Sequence, residues 1–214
     1  MKGKESDNNI YVVFSRTNTK IGWLIRKVLK TDYNHVSLLP SLEVMELYSF
    51  GRKTYSVPFV GGFIKEDFFR LAYPLSTVNF HICEIPLSMG QRQKLDKIIY
   101  DFSQNAEDYL YNLFSFTKLW KGKEYNHCSK TYDCVEFVAE VLKRVEIITE
   151  SEYVEIDSLK DLYYILGRKS IMNIDMAVSV SSCKYDGKYI EKPFLPVRII
   201  KTINYLIRYN KLRK

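Results

Sequence analysis

Glycine and proline are scarce in this chain, nine and six among 214 residues. Together with 46% apolar and 27% charged residues, that excludes a collagen-like fibre and a disordered low-complexity tract. Cysteine is scarce as well. Cys83, Cys128, Cys134 and Cys183 contain no C-x-x-C pair, so neither a disulfide mini-scaffold nor a paired-cysteine metal motif is indicated. No run approaches 18 apolar residues, which excludes a membrane-spanning helix. The start, MKGKESDNNI, lacks the apolar core of an export signal. The expectation is therefore a cytoplasmic protein with free thiols.

Acidic residues are missing from one stretch only. Six of the seven net positive charges lie between Arg198 and Lys214, where no carboxylate occurs, and the preceding 197 residues are close to neutral. A body so balanced offers no general polyanion surface, and no nucleic-acid partner is expected.

What is plentiful is aromatic bulk, with 17 Tyr, 12 Phe and 2 Trp, enough to fill the core of one domain of this length. Residues 10–15 (IYVVFS) read as a buried strand. Ile21, Leu24, Ile25 and Val28 recur at helical spacing over 18–30, and strands follow at His35–Leu39 and 43–50, joined as a hairpin through Pro40 and Ser41. The stretch 51–75, with Gly61-Gly62 and Pro58, reads as a long irregular excursion. Residues 77–85 alternate as a strand. Ser88 caps a helix to about 104 with Leu95, Ile98, Ile99 and Phe102 on one face. Residues 106–120 are aromatic-rich and read as partly helical. Ser158 caps a short helix, and 196–212 forms a terminal helix with basic residues opposing Ile199, Ile200, Ile203, Leu206 and Ile207. No repeat or linker divides the chain. The expectation is one α+β domain over 1–214, with 165–214 as an extension ending in a basic amphipathic helix.

The most informative segment is TYDCVEFVAEVLK, 131–143. Asp133 is a good N-cap, and Glu136 three residues later completes a capping-box pattern. Cys134 then occupies the first helical position, where backbone amides and the macrodipole favour a thiolate. It shares a stripe with Phe137, Val138, Val141 and Leu142, so it faces the protein body. A cysteine on an apolar stripe is also a common, inert core residue. What decides is whether a base stands beside it. Of the three histidines, His81 lies within an alternating strand and reads as structural. His127 with Cys128 and Cys134 lacks a fourth ligand and the paired spacing of a zinc site, so no metal or cofactor is expected. His35 opens a strand, and Glu46 on the following strand comes near enough to orient its ring. Nucleophile, base and orienter together are the arrangement of cysteine hydrolases.

YNHVSLL with a strand ending in YSFGRK, followed far downstream by YDCVEFVAEVL, resembles the circularly permuted NlpC/P60 group of papain-like enzymes. That group includes YiiX-like proteins and is related to lecithin:retinol acyltransferase-like proteins. The resemblance covers about residues 10–145. It implies a papain-like fold in permuted order, histidine before cysteine, with an antiparallel sheet packed on the cysteine helix. It also implies Cys134 as nucleophile, His35 as base, and Glu46 or Ser49 as orienter.

The expected activity is a thiol hydrolase, a cysteine peptidase or amidase that cleaves an amide or peptide bond through an acyl-enzyme. Two alternatives stand beside it. One is a lipid-directed acyltransferase or acyl hydrolase at an anionic membrane surface, reached through the C-terminal helix. The other is a catalytically silent module that binds a peptide or lipid.

Overall fold

The β-branched and aromatic run around Ile10–Ser15 is the centre of strand β1 (Asn9–Arg16), buried on both faces. The computed structural model describes residues 8–73, 77–112, 130–179 and 187–212. On either side of β1 an antiparallel sheet is built from β2 (His35–Leu39), β3 (Leu47–Arg52), β4 (Gly61–Glu66), β5 (Thr77–Pro86) and β8 (Met172–Ser179). Its order is β4-β3-β2-β1-β5-β8. A two-stranded parallel pair, β6 (Leu110–Tyr111) and β7 (Thr131–Tyr132), stands apart from it.

Alternation along the strands sorts their side chains onto two faces. Ile10, Val12, Phe14, Val36, Leu38, Phe50 and Phe63 form one core with α3 (Met89–Gln104), α4 (Cys134–Arg144) and α6 (Leu159–Gly167). Phe50 and Phe137 have ring centroids 5.3 Å apart, and Phe102 meets Phe137 edge-on at 5.1 Å. Tyr11, Val13, Leu39, Leu47, Val78, Phe80 and Ile82 form the other core, with Leu71 and Ala72 of α2 (Phe68–Ala72). The chain is thus α+β, with the sheet packed on the helix that begins at Cys134.

The expected caps are in place. Ser88 and Asp133 each accept the amide three residues on, at 3.2 and 2.8 Å, and each closes a capping box. The helix read over 18–30 is α1 (Lys20–Leu29), with Thr19 as its cap, and α5 (Glu150–Glu155) links α4 to α6.

Two expectations are corrected. The strand read at 43–50 begins at Leu47 instead, because a turn at 42–44 and the left-handed Met45 (φ 52°) hold residues 42–46 out of the ladder. The excursion at 51–75 contains a full strand, β4, and the short helix α2. Of the stretch 106–120, Leu110–Tyr111 is extended, and the helical reading of the rest falls on 113–120, which lies outside the described residues. The glycines that hid β4 are there for a reason of space. A Cβ on Gly61 would come within 2.7 Å of the Gly51 carbonyl oxygen, and one on Gly62 within 2.6 Å of that of Tyr109. Only glycine lets the 109–111 segment lie this close.

The stretch 165–214 is integrated into the body. It supplies β8, which pairs with β5 from Thr77–Ser179 to Glu84–Met172, then α7 (Gly187–Ile190) and α8 (Leu195–Leu212). α8 docks through Tyr205 and Tyr209. Their hydroxyls donate to the Tyr111 carbonyl at 2.6 Å and to Asn112 Oδ1 at 2.9 Å.

Candidate active site

Cys134 and His35, 99 positions apart in sequence, are brought together at the end of the sheet where α4 begins. α4 packs across β2 and β3, and Cys134 at its first position is buried. His35, the first residue of β2, lines the same cavity as Cys134, and the thiol is among the groups that hold its ring protonated. His35 Nε2 is committed to Glu66 Oε1 at 2.6 Å, so the ring nitrogen left for sulfur is Nδ1. In the neutral ring the Glu66 bond selects the Nε2–H tautomer, which turns the Nδ1 lone pair toward the thiol.

Glu66 is the member that sequence reading missed. It ends β4, buried to 7% exposure, and also accepts the Ser37 hydroxyl at 2.5 Å. Burial alone would raise its pKa, but His35, then Arg70 and Ser37, hold it below the ordinary carboxylate value. His35 shifts in the opposite direction. Burial disfavours the imidazolium, yet the Glu66 charge and the bond to Cys134 outweigh it and push the ring up to about 10. The pair is therefore ionised across the neutral range.

Neither residue first expected to orient His35 does so. Glu46 precedes β3 in a half-exposed loop, where its carboxylate accepts from the Tyr48 hydroxyl at 2.7 Å and from Lys65 Nζ at 3.1 Å. Its parity, shared with Tyr48 and Phe50, belongs to the α4 side of the sheet. Ser49 has the opposite parity and is fully buried, but its hydroxyl donates to the Val36 carbonyl at 2.7 Å. A signal for Glu66 was present in the alternation of Phe63, Ile64, Lys65 and Glu66 after the double glycine. His81 is a satisfied structural residue, with Nδ1 2.7 Å from Asp175 and Nε2 3.3 Å from Asn173. His127, Cys128 and Cys183 lie outside the described residues. Among the described residues no cluster of His, Cys, Asp and Glu is placed to hold a metal ion.

The pair opens into a cavity of about 610 Å³. Its walls are largely apolar: Ile25 of α1, Phe50 and Ile64 of the sheet, Phe59, Leu71 of α2 and Leu206 of α8. At one side stand Arg52 and Arg70, the latter donating to the Arg52 carbonyl at 2.5 Å and lying 4.1 Å over the Tyr189 ring. Tyr111, also on the wall, has its pKa raised by burial and then by Cys134 and Asp133, so its phenol stays protonated as a donor.

α4 is braced from behind. The Glu136 carboxylate accepts the Asp133 amide at 2.7 Å and the Asn112 side-chain amide at 3.1 Å, and Asn112 in turn accepts from Tyr209 of α8. The C-terminal helix thus reaches the cysteine through one chain of hydrogen bonds. No family model matches this chain, and no curated protein or solved structure matches it.

Proposed function

We propose that this protein is a thiol hydrolase that cleaves an amide or peptide bond through an acyl-enzyme, with Cys134 as nucleophile, His35 as acid and base, and Glu66 as the residue that orients the ring. The observation that carries the reading is the buried chain of Cys134, His35 and Glu66 opening into a cavity. Membership of the permuted NlpC/P60 group is part of the same proposal. It is supported by the order of histidine before cysteine and by the sheet packed on the cysteine helix.

The chemistry follows from the roles. With the thiol proton already passed to His35 Nδ1, giving the imidazolium that Glu66 stabilises, the sulfur attacks the carbonyl carbon. The Cys134 amide, at the head of α4 where amides have no partner within the helix, is the donor best placed for the developing oxyanion. The imidazolium then returns its proton to the leaving nitrogen as the C–N bond breaks, leaving a thioester. Water, losing a proton to His35, attacks the thioester and releases a carboxylic acid and the free thiol.

An acyl-lipid substrate is the second reading, favoured by the aliphatic and aromatic cavity wall. Ester and amide carbonyls are equally open to this nucleophile. Incubation with short peptide amides and with long-chain acyl esters, followed by intact-mass measurement, tests both. The expected result is an acyl mass on the native protein and none on Cys134→Ala. Absence of any adduct, with Cys134 alkylated no faster than Cys83, would overturn the enzyme reading.

A further inference from the structure

Two helices border the cavity, and each leaves an apolar face without a partner among the described residues. On α8, successive residues turn by about 100°, which divides the helix into three faces. Tyr205, Tyr209 and Leu212 dock on the body. Ile199, Ile200, Ile203 and Ile207 stand about half exposed on the next face, continuous with Leu206, which lines the cavity. Lys201, Arg208 and Lys211 flank them. α1 repeats the pattern. Gly22 is buried, Ile25 lines the cavity, and beside Ile25 stand Leu24 and Val28 at 54% and 57% exposure. Lys20, Lys27 and Lys30 flank this face, with Trp23 exposed at its border and Lys27 Nζ 4.3 Å over its ring. Neither helix carries a carboxylate.

Amphipathic helices of a soluble domain normally turn such a face inward. Here both turn it outward, beside the one cavity that both helices line, with cations around it and a tryptophan at its edge. That combination matches an anionic bilayer surface. Apolar side chains enter the acyl boundary, lysines meet the headgroups, and tryptophan sits at the interface. A second copy of the chain would bring cations against cations, and a bilayer brings opposite charge. We propose that α1 and α8 form a docking face for anionic lipid bilayers, which holds the cavity mouth against the membrane. The inference rests on the proposed hydrolase in one respect only: it makes the substrate class an acyl compound drawn from that surface.

Co-sedimentation tests the docking without catalysis. The full chain carrying Cys134→Ala is mixed with vesicles of phosphatidylcholine and phosphatidylglycerol in equal parts, or of phosphatidylcholine alone. The expected result is binding to the mixed vesicles, much weaker binding to the neutral ones, and a loss on going from about 0.1 M to about 1 M salt. Lys201→Gln and Lys211→Gln should each weaken binding about fivefold. Ile203→Asp with Leu24→Asp, both at exposed positions outside the cavity wall, should abolish it while circular dichroism stays native. Tryptophan emission should shift to the blue on vesicles, and this shift should vanish in Trp23→Phe. Failure of the folded protein to bind mixed vesicles would overturn the docking face. So would binding indifferent to the two aspartates, or a dimer in solution that those aspartates dissociate. Because the probe protein lacks the thiol, these outcomes leave the hydrolase reading to its own test.

Discussion

Replacing Glu66 by Gln keeps the shape of the β4 side chain and removes the charge facing His35. In the native site burial works against the imidazolium. The Glu66 charge, followed by the bond to Cys134, overcomes it and holds the ring protonated up to about 10. In Glu66→Gln the burial remains and the main opposing cause is gone, so the ring should titrate at its ordinary value near 6.5 or below. At pH 8 the native ring is then about 99% imidazolium, and one of ordinary pKa about 3%. Imidazole proton and nitrogen shifts of His35, followed by NMR from pH 5 to 10.5, read this directly. Limiting iodoacetamide at pH 7 reads its consequence, since a thiolate at Cys134 loses its cationic partner and should alkylate more slowly. Stability should follow the same charges. The His35 contribution, from a raised pKa, is complete below about 6.5 and lost as pH rises through about 10. The Glu66 contribution, from a lowered pKa, is present above about 4.3 and lost as pH falls through its folded value. The native melting temperature should therefore hold a plateau between these limits, and Glu66→Gln should lose the alkaline descent. Glu46→Gln is the control and should change neither titration nor alkylation, because that carboxylate serves Tyr48 and Lys65. A native His35 midpoint near 6.5, or a midpoint moved by Glu46→Gln and not by Glu66→Gln, would refute the reasoning.

Gly62→Ala should destabilise the fold by about 1–3 kcal/mol in urea titration, since its Cβ would meet the Tyr109 carbonyl oxygen at 2.6 Å. Gly90→Ala, whose Cβ would meet nothing within 4 Å, should be neutral or stabilising by up to about 1 kcal/mol. Tyr209→Phe removes the hydroxyl that donates to Asn112 Oδ1 in buried surroundings. It should cost about 1–3 kcal/mol, and hydrogen exchange should rise in both α8 and the first turn of α4, because one chain of bonds joins them.

The elements legible in the sequence are those whose signals are local. The cap of α4 needs only Asp133 and Glu136, that of α3 only Ser88 and Gln91, and both helices start where those residues place them. The strands that escaped depend on distant partners. β4 begins with two glycines, which lower the local preference for a strand. They are required because the backbone at Gly51 and Tyr109 lies against them, and that closeness exists only in the folded chain. β8 was hidden differently. Asn173 and Asp175 alternate with Met172, Ile174 and Met176, but both sets are exposed at the sheet edge. Hydrophobic patterning had little buried surface there to report.

The site divides along the same line. His35 and Cys134 each mark the first residue of an element, and each stands out alone. The third member requires knowledge of strand order and parity together. A neighbour on the next strand is the natural guess for an orienter, yet on that side β3 contributes only Leu47, Ser49 and Gly51, none of them a charged group. A Cβ on Gly51 would lie 3.8 Å from the His35 ring and 2.8 Å from the Ile64 side chain of β4, so the space over Gly51 is already taken by Ile64. A carboxylate two strands away, that of Glu66, is the one that reaches Nε2. Its position is fixed by the pairing of Glu66 with Leu47 at the far end of the β3–β4 ladder. A larger residue at 51 would have to displace Ile64 beside the His35 ring, so the glycine in YSFGRK belongs to the proposed site as the histidine does.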